Sequence, residues 1–271
     1  MATLIDTRYR GDFVAWPGVA GFMGDGGGGA PIQPHAHYAI QLVLGLPAGV
    51  RVQCGRHGAW QSCAGALLPS RVVHSIDVSG CEMSAVLFIE PETPHGRALA
   101  ARMQGDMCVL DGDVITAAAQ RLQSAWRVEQ SMEAVQAVCM ALLQALSGAA
   151  PRAPSDPRVL AAVDYIGARV SETVTLPDVA RAVHLSAERF RHLFVQETGM
   201  PLRTYVLWRR LLLVWTLLMQ GETLSGAAHA AGFADSAHLS RTARSMFGLP
   251  PSVLQMRGPL SRLAQEQRQL R

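Results

Sequence analysis

The chain has 271 residues, 49 % of them apolar and 17 % charged, which is length enough for two domains and too apolar a composition for a disordered chain. Its 25 glycines follow no period, so a collagen-like fibre is excluded, and apolar stretches such as Leu211–Met219 fall short of the roughly 18 residues that span a bilayer. The net charge of +3 is uneven: all 24 basic residues are arginine, with 14 Arg against 9 acids in residues 155–271 and 10 against 12 in residues 1–154, so the C-terminal part is expected to meet a polyanion.

In chain order, Met1–Asp6 shows neither a basic region nor an apolar one; no signal peptide is expected, and a cytoplasmic location follows. Gly24–Gly29 reads as a flexible loop, and the absence of a following Lys-Ser/Thr excludes a phosphate loop. Residues 35–90 read as short strands (Ala39–Leu44, Val50–Cys54, Met83–Ile89), rich in Val, Ile and Leu and separated by Gly and Pro. That pattern predicts an antiparallel sandwich or small barrel. The five cysteines (54, 63, 81, 108 and 139) form no CxxC pair, which excludes a disulfide framework or zinc ribbon and leaves free thiols. From residue 95 the period turns helical. Residues 113–126 and 130–146 carry apolar side chains at three-and-four spacing, as helices that cover the sheet or also pair with a second copy. Segment 96–147 is therefore assigned to dimerisation, and the Pro-punctuated residues 148–156 to a linker.

After the linker the pattern is helical throughout, starting with Leu160–Val170, and it contains a repeat. Ala180 matches Ala228 at an offset of 48; Phe190 matches Leu239, Gly199 matches Gly248 and Pro201 matches Pro250 at an offset of 49. Each unit reads as short helix, tight turn and second helix, with Ser186 and Asp235 as N-caps and Gly232 placed for a positive φ. Pro201–Gln220, a helix of about 19 residues and so roughly 28 Å long, lies between the units. That length approaches the roughly 34 Å between successive major-groove faces of a duplex. Two helix-turn-helix units on one rod in a basic domain predict DNA binding.

On these residues the C-terminal part resembles the arabinose-regulator (AraC/XylS) family of bacterial transcription regulators. The matching pieces are Leu176-Pro-Asp-Val-Ala180, Ser186…Phe190…Leu193-Phe194…Glu197-Thr-Gly199, Tyr205, Arg209-Arg210-Leu211, Gly232-Phe233-Ala-Asp235…His238-Leu-Ser-Arg241 and Phe247-Gly-Leu-Pro-Pro-Ser252. Val214 and Ala243 depart from the pattern; Ala243 stands where a large aromatic is usual, a deficit of roughly 2–4 kcal/mol unless Trp215 or Met246 fills the space. The resemblance implies DNA contacts from the outward faces of the second helices: Glu188, Arg191 and His192 in the first unit, and Ser236, Ala237, His238, Ser240, Arg241 and Arg244 in the second. It also implies an N-terminal sensory domain of cupin-like form. His35-Ala-His37…Gln41 and Pro69…His74 have the spacing of the two cupin motifs, with Gln41 in the acid's place and Arg71 in a glycine's. In metal cupins these positions converge, so His35, His37, Gln41 and His74 are assigned to the effector, or to a divalent transition metal.

The fold expected is thus a two-domain one: an all-β cupin-like barrel (1–95) with helices (96–147), a linker, an all-α domain of two helix-turn-helix units joined by a long helix (157–257), and a tail (258–271). The function expected is ligand-responsive, sequence-specific promoter binding without covalent chemistry. Double-stranded promoter DNA, a small-molecule effector, a second copy of the chain and RNA polymerase are the partners. The alternatives are a cupin-type metal-dependent enzyme fused to a DNA-binding domain, and a constitutive binder with an empty barrel.

Overall fold

The computed structural model describes residues 9–26, 30–148 and 156–269; the expectations for residues 1–6, most of the linker and part of the glycine loop lie outside them. The N-terminal strands are β1 (Tyr9–Trp16), β2 (Val19–Gly24), β3 (Ile32–His35), β4 (Ile40–Pro47), β5 (Val50–Cys54), β6 (Trp60–Cys63), β7 (Gly65–Leu68), β8 (His74–Asp77) and β9 (Cys81–Ile89). After α1 (Pro94–Ala100) comes β10 (Cys108–Leu110). Next are α2 (Asp113–Ser124), which runs into a π-helical turn (Ala125–Glu129), and α3 (Met132–Ser147). The C-terminal part holds α4 (Arg158–Ala168), α5 (Leu176–Ala182), α6 (Ala187–Thr198), α7 (Leu202–Met219), α8 (Leu224–Ala230), α9 (Ser236–Phe247), β11 (Leu254–Met256) and α10 (Pro259–Gln269).

The strands form two sheets, one in the order β10-β7-β4-β9-β2-β1-β11 and one in the order β3-β8-β5-β6. Strand β4 shows how they pack. Its residues from Ile40 to Leu46 are buried on both faces, which is why it reads as a continuous apolar run. Because alternate side chains share a face, Val43 joins Val50, Val52, Leu68 and Ile76 between the sheets. Leu42, Leu44 and Leu46 instead meet the helical layer of Ile115, Leu122, Leu142 and Leu143. Gln41 lies on the Val43 face, inside. All five cysteines are free. Among the described residues no helix is long and apolar enough to cross a membrane.

Two strands fall where helix was expected. β10 interrupts segment 96–147 and pairs with β7, and β11 lies in the region read as all-helical and pairs parallel with β1. Each is three residues long, too short for a local period. Each forms because a sheet edge offers unpaired backbone groups. The boundary expected at 257 therefore falls inside a segment that runs along the N-terminal sheet, and residues 259–269 of the expected tail are helix α10. β1 and β2, ahead of residue 35, were not anticipated either.

The repeat is visible in backbone detail. Thr175, Ser186, Thr223 and Asp235 cap α5, α6, α8 and α9, each side chain accepting from the backbone N–H three residues on. In each inter-helix turn one residue is left-handed, His184 at φ 56° and Gly232 at φ 77°. The next N–H, of Leu185 or Phe233, donates to the carbonyl of Ala180 or Ala228 at 2.9 Å. α6 and α9 both end on a left-handed glycine, Gly199 at φ 72° and Gly248 at φ 73°.

Candidate DNA-reading helices and the interdomain cavity

In α6, Phe190 and Phe194 are buried and Leu193 is half-buried, while Glu188, Arg191 and His192 are exposed. The Glu188 carboxylate accepts from Arg191 at 2.8 Å and from His192 at 2.7 Å, which holds its carboxyl down to about 2. In α9, Leu239, Ala243 and Phe247 are buried, and Ser236, Ala237, Arg241 and Arg244 are exposed. His238 and Ser240 are half-buried, with the His238 ring edge-on to Phe233 at 5.3 Å. Arg191 and His238 border one groove along α7. Arg210, also on that groove, donates to the carbonyls of Val170, Glu172 and Gly232; it staples the two units together and leaves the outward work to other arginines.

The aromatic bulk missing at Ala243 is supplied one turn later. Phe247 stacks on Trp208 at 5.5 Å and meets Trp215 at 5.9 Å. It also meets Phe22 at 6.0 Å and Phe88 at 5.1 Å in the N-terminal sheet. The second unit thus completes its core with the other domain's side chains. Polar contacts follow the same boundary. Tyr205 donates to Glu92 at 2.7 Å and Trp208 to Glu90 at 3.3 Å, Arg209 lies 3.7 Å from Glu90, and Arg97 pairs with Glu197. Burial and the neighbouring Glu90 raise the Glu92 carboxyl to about 8. On the far side, the buried Asp12 carboxylate accepts from the N–H groups of Leu260 and Ser261, the Ser261 hydroxyl and the Trp126 indole. No local motif marked Asp12, Glu90 or Glu92, because their partners are more than 100 residues away.

The structure brings His35, His37, Gln41 and His74 together, with His35, His37 and Gln41 spread over β3, the following turn and β4 rather than one strand. His35 ends β3 opposite His74 of β8, His37 stands in the turn after β3, and Gln41 comes from the other sheet. The three rings offer nitrogens within 4.8 Å of one another. Each Nδ1 is bonded to a backbone carbonyl two residues away: Gln33 for His35, Ala39 for His37 and Val72 for His74. That geometry fixes the proton on Nδ1 and leaves a lone pair at Nε2. Burial first, then the neighbouring imidazoles, lower the His35 pKa to about 3 and that of His37 well below its ordinary value; burial alone lowers that of His74. The rings are therefore neutral. They fit a borderline divalent ion as three nitrogen donors, with the Gln41 oxygen as a fourth; such an ion would supply a Lewis-acid anchor for an anionic group.

Beside this cluster lies a narrow cavity that opens to solvent. His35 and Gln41 form its polar end. Phe22, Val86 and Phe88 line it from the sheet, and Phe247, Leu249, Leu254 and Met256 from the C-terminal part.

A family model for a helix-turn-helix domain matches residues 179–257. No curated protein matches the chain. Among solved structures, an apo variant of ToxT from Vibrio cholerae is 11 % identical with a TM-score of 0.59, over 88 % of this chain and 97 % of its own. ToxT from Vibrio cholerae O395 is 11 % identical with a TM-score of 0.55, over 90 % and 94 %. ToxT bound to an unsaturated fatty acid is 12 % identical with a TM-score of 0.52, over 90 % and 91 %. This likeness shows a shared fold, a sheet-rich N-terminal domain joined to a helical C-terminal one. Residues 179–257 are thus a helix-turn-helix domain of the arabinose-regulator type, carried on that fold.

Proposed function

We propose that α6 and α9 read adjacent major grooves of promoter DNA, and that a small molecule in the cavity sets how they are presented. Arg191 and Arg241 suit guanine O6/N7, Glu188 suits cytosine N4, and Ser236 and Ala237 suit thymine methyls; His192, His238, Ser240 and Arg244 complete the contact surface. The observation that carries the effector reading is the cavity wall: Phe247 and Leu249, at the end of α9, share it with Phe22, Val86 and Phe88. An occupant touches both domains at once, so its binding energy can differ between two arrangements of the second unit. The walls are apolar, and ToxT, which has this fold, has been solved with an unsaturated fatty acid.

The cupin-like description of the sheets, the domain boundaries, a cytoplasmic location and RNA polymerase as a partner belong to the same proposal. So does dimerisation through residues 96–147, supported by the exposed Val114 and Val128. The helix-turn-helix domain of residues 179–257 favours a transcription regulator of the arabinose-regulator family over the enzyme alternative.

Footprinting on the chain's own upstream DNA tests the reading helices. Arg191→Ala and Arg241→Ala are each expected to weaken one subsite by roughly 1–3 kcal/mol, about one helical turn apart; wild-type footprints from both would overturn the assignment. Val86→Trp, which fills the cavity, is expected to abolish the response to a metabolite pool while DNA binding persists.

A further inference from the structure

At the polar end of the cavity, hydrogen-bond valence restricts the head group that fits, provided the cavity is the effector site proposed above. His37 and His74 each spend their ring N–H on a backbone carbonyl, so each presents only a lone pair at Nε2. Both lone pairs meet the same end of the Gln41 carboxamide, at 2.6 Å and 3.1 Å. The amide's other end is buried without a partner. Two acceptors require a donor, and the two ends of a carboxamide are assigned by their partners. The NH2 group therefore faces His37 and His74, one proton to each, and the carbonyl oxygen faces the unpartnered side. His35 spends its N–H on Gln33, and its Nε2 has no partner among the described residues. His35 and Gln41 both line the cavity's polar end, so its unpaired acceptors are His35 Nε2 and the buried Gln41 oxygen, and the cluster supplies no donor.

Charge narrows the choice further. The site is buried, so an unpaired ion there is costly. The chain has no lysine, Arg10 in the cavity wall already has a partner, and the cluster includes no carboxylate. Asp12, the acid in the cavity wall, is committed to four donors. An ammonium finds no free counter-charge, and a carboxylate faces lone pairs with no free cation beside them. We infer that the effector joins an apolar body to an uncharged head that donates hydrogen bonds, a hydroxyl or a neutral amine, received by His35 Nε2 and the Gln41 carboxamide oxygen. The rings of Phe22, Phe88 and Phe247 around the body suit an aromatic one.

Calorimetry on the full chain with EDTA present tests this with four compounds of one body: 4-butylphenol, 4-butylaniline, 4-butylbenzoate and butylbenzene. At neutral pH the phenol and the aniline are uncharged donors. They are expected to bind roughly tenfold or more tighter than the other two, the worth of satisfying a buried acceptor. In His35→Leu the phenol is expected to fall to the level of butylbenzene. If the benzoate binds best, or the phenol only equals butylbenzene, the head-group inference fails while the cavity reading stands. If the benzoate binds tightly only when EDTA is replaced by Zn²⁺, a metal holds the site and the inference fails. If none of the four binds, the cavity reading fails and takes the inference with it. Nitrogen-15 spectra of the histidines check the premise without a variant: all three must carry their proton on Nδ1, and an Nε2–H or imidazolium at His37 or His74 overturns it.

Discussion

His184 and Gly232 hold equivalent places in the two helix-turn-helix turns, yet only Gly232 adopts its left-handed backbone without steric cost. His184 is exposed and has no side-chain bond among the described residues. His184→Gly is therefore expected to stabilise the first unit by about 0.5–1 kcal/mol, less the extra entropy of an unfolded glycine; urea melts with an unchanged m-value would show it. Glu92 makes the opposite kind of demand. Its folded pKa of about 8 lies above the ordinary 4.5, so the folded state holds a proton that the unfolded chain has released. Its contribution is intact below about 4.5 and is lost as pH rises toward about 8. Glu92→Gln removes the charge beside Glu90, Tyr205 and Arg209. Its stability is expected to decline less than the wild type's across that window, and parallel pH profiles of the two proteins would refute the assignment.

The two reading helices end alike but are docked differently, which sets an element-scale test. A Cβ on Gly199 would meet only the Tyr38 ring, at 3.9 Å. A Cβ on Gly248 would lie 2.5 Å from the Gln33 carbonyl and 2.6 Å from His35 Nδ1. Gly199→Ala is expected to cost about 1 kcal/mol of left-handed strain. Gly248→Ala is expected to cost clearly more, because α9 must also lift from β3; calorimetric melting of the two variants compares them directly. Helix α10 rests on a cap from a distant element. Asp12 satisfies its first N–H groups, and its side chains reach back to the end of α7, where Gln265 bonds the Met219 carbonyl and Arg268 the Gln220 carbonyl. Asp12→Ala leaves these donors and the Trp126 indole unsatisfied, at a cost of about 2–4 kcal/mol. Hydrogen exchange in residues 254–269 should rise sharply in that variant, and unchanged protection there would show that other contacts hold the helix.

Across the whole molecule the two domains are joined by more than a linker. Trp208, Trp215 and Phe247 of the C-terminal part complete an aromatic cluster with Phe22 and Phe88, and the Phe13 N–H points at the Met219 sulfur at 3.1 Å. A fragment beginning after the linker reads from sequence as self-contained. Cut away from the sheet, it would expose these rings and leave β11 and α10 without β1 and Asp12. Such a fragment is expected to self-associate in light scattering, whereas the full chain shows one cooperative melt. A monomeric, stable fragment would show that the shared core contributes little.

The N-caps Ser186 and Asp235, the turn glycine Gly232 and the buried faces of α6 and α9 were legible because each is a local matter, decided within one or two helical turns. The four polar residues of the histidine–glutamine cluster were legible as a spacing, although the strands that carry them were not. The turn of residues 36–39 separates His35 in β3 from Gln41 in β4 and sends them to different sheets. What only the tertiary structure decided is which surfaces are shared. β10 and β11 are too short to announce themselves, Asp12 finds its donors at Leu260 and Ser261, and Phe247 fills a core to which Phe22 and Phe88 also belong. Hydrogen-bonding periodicity and caps act over a few residues, so a sequence displays them. The closing of a sheet edge or an aromatic cluster depends on where distant segments arrive, and that is settled by the burial they achieve together.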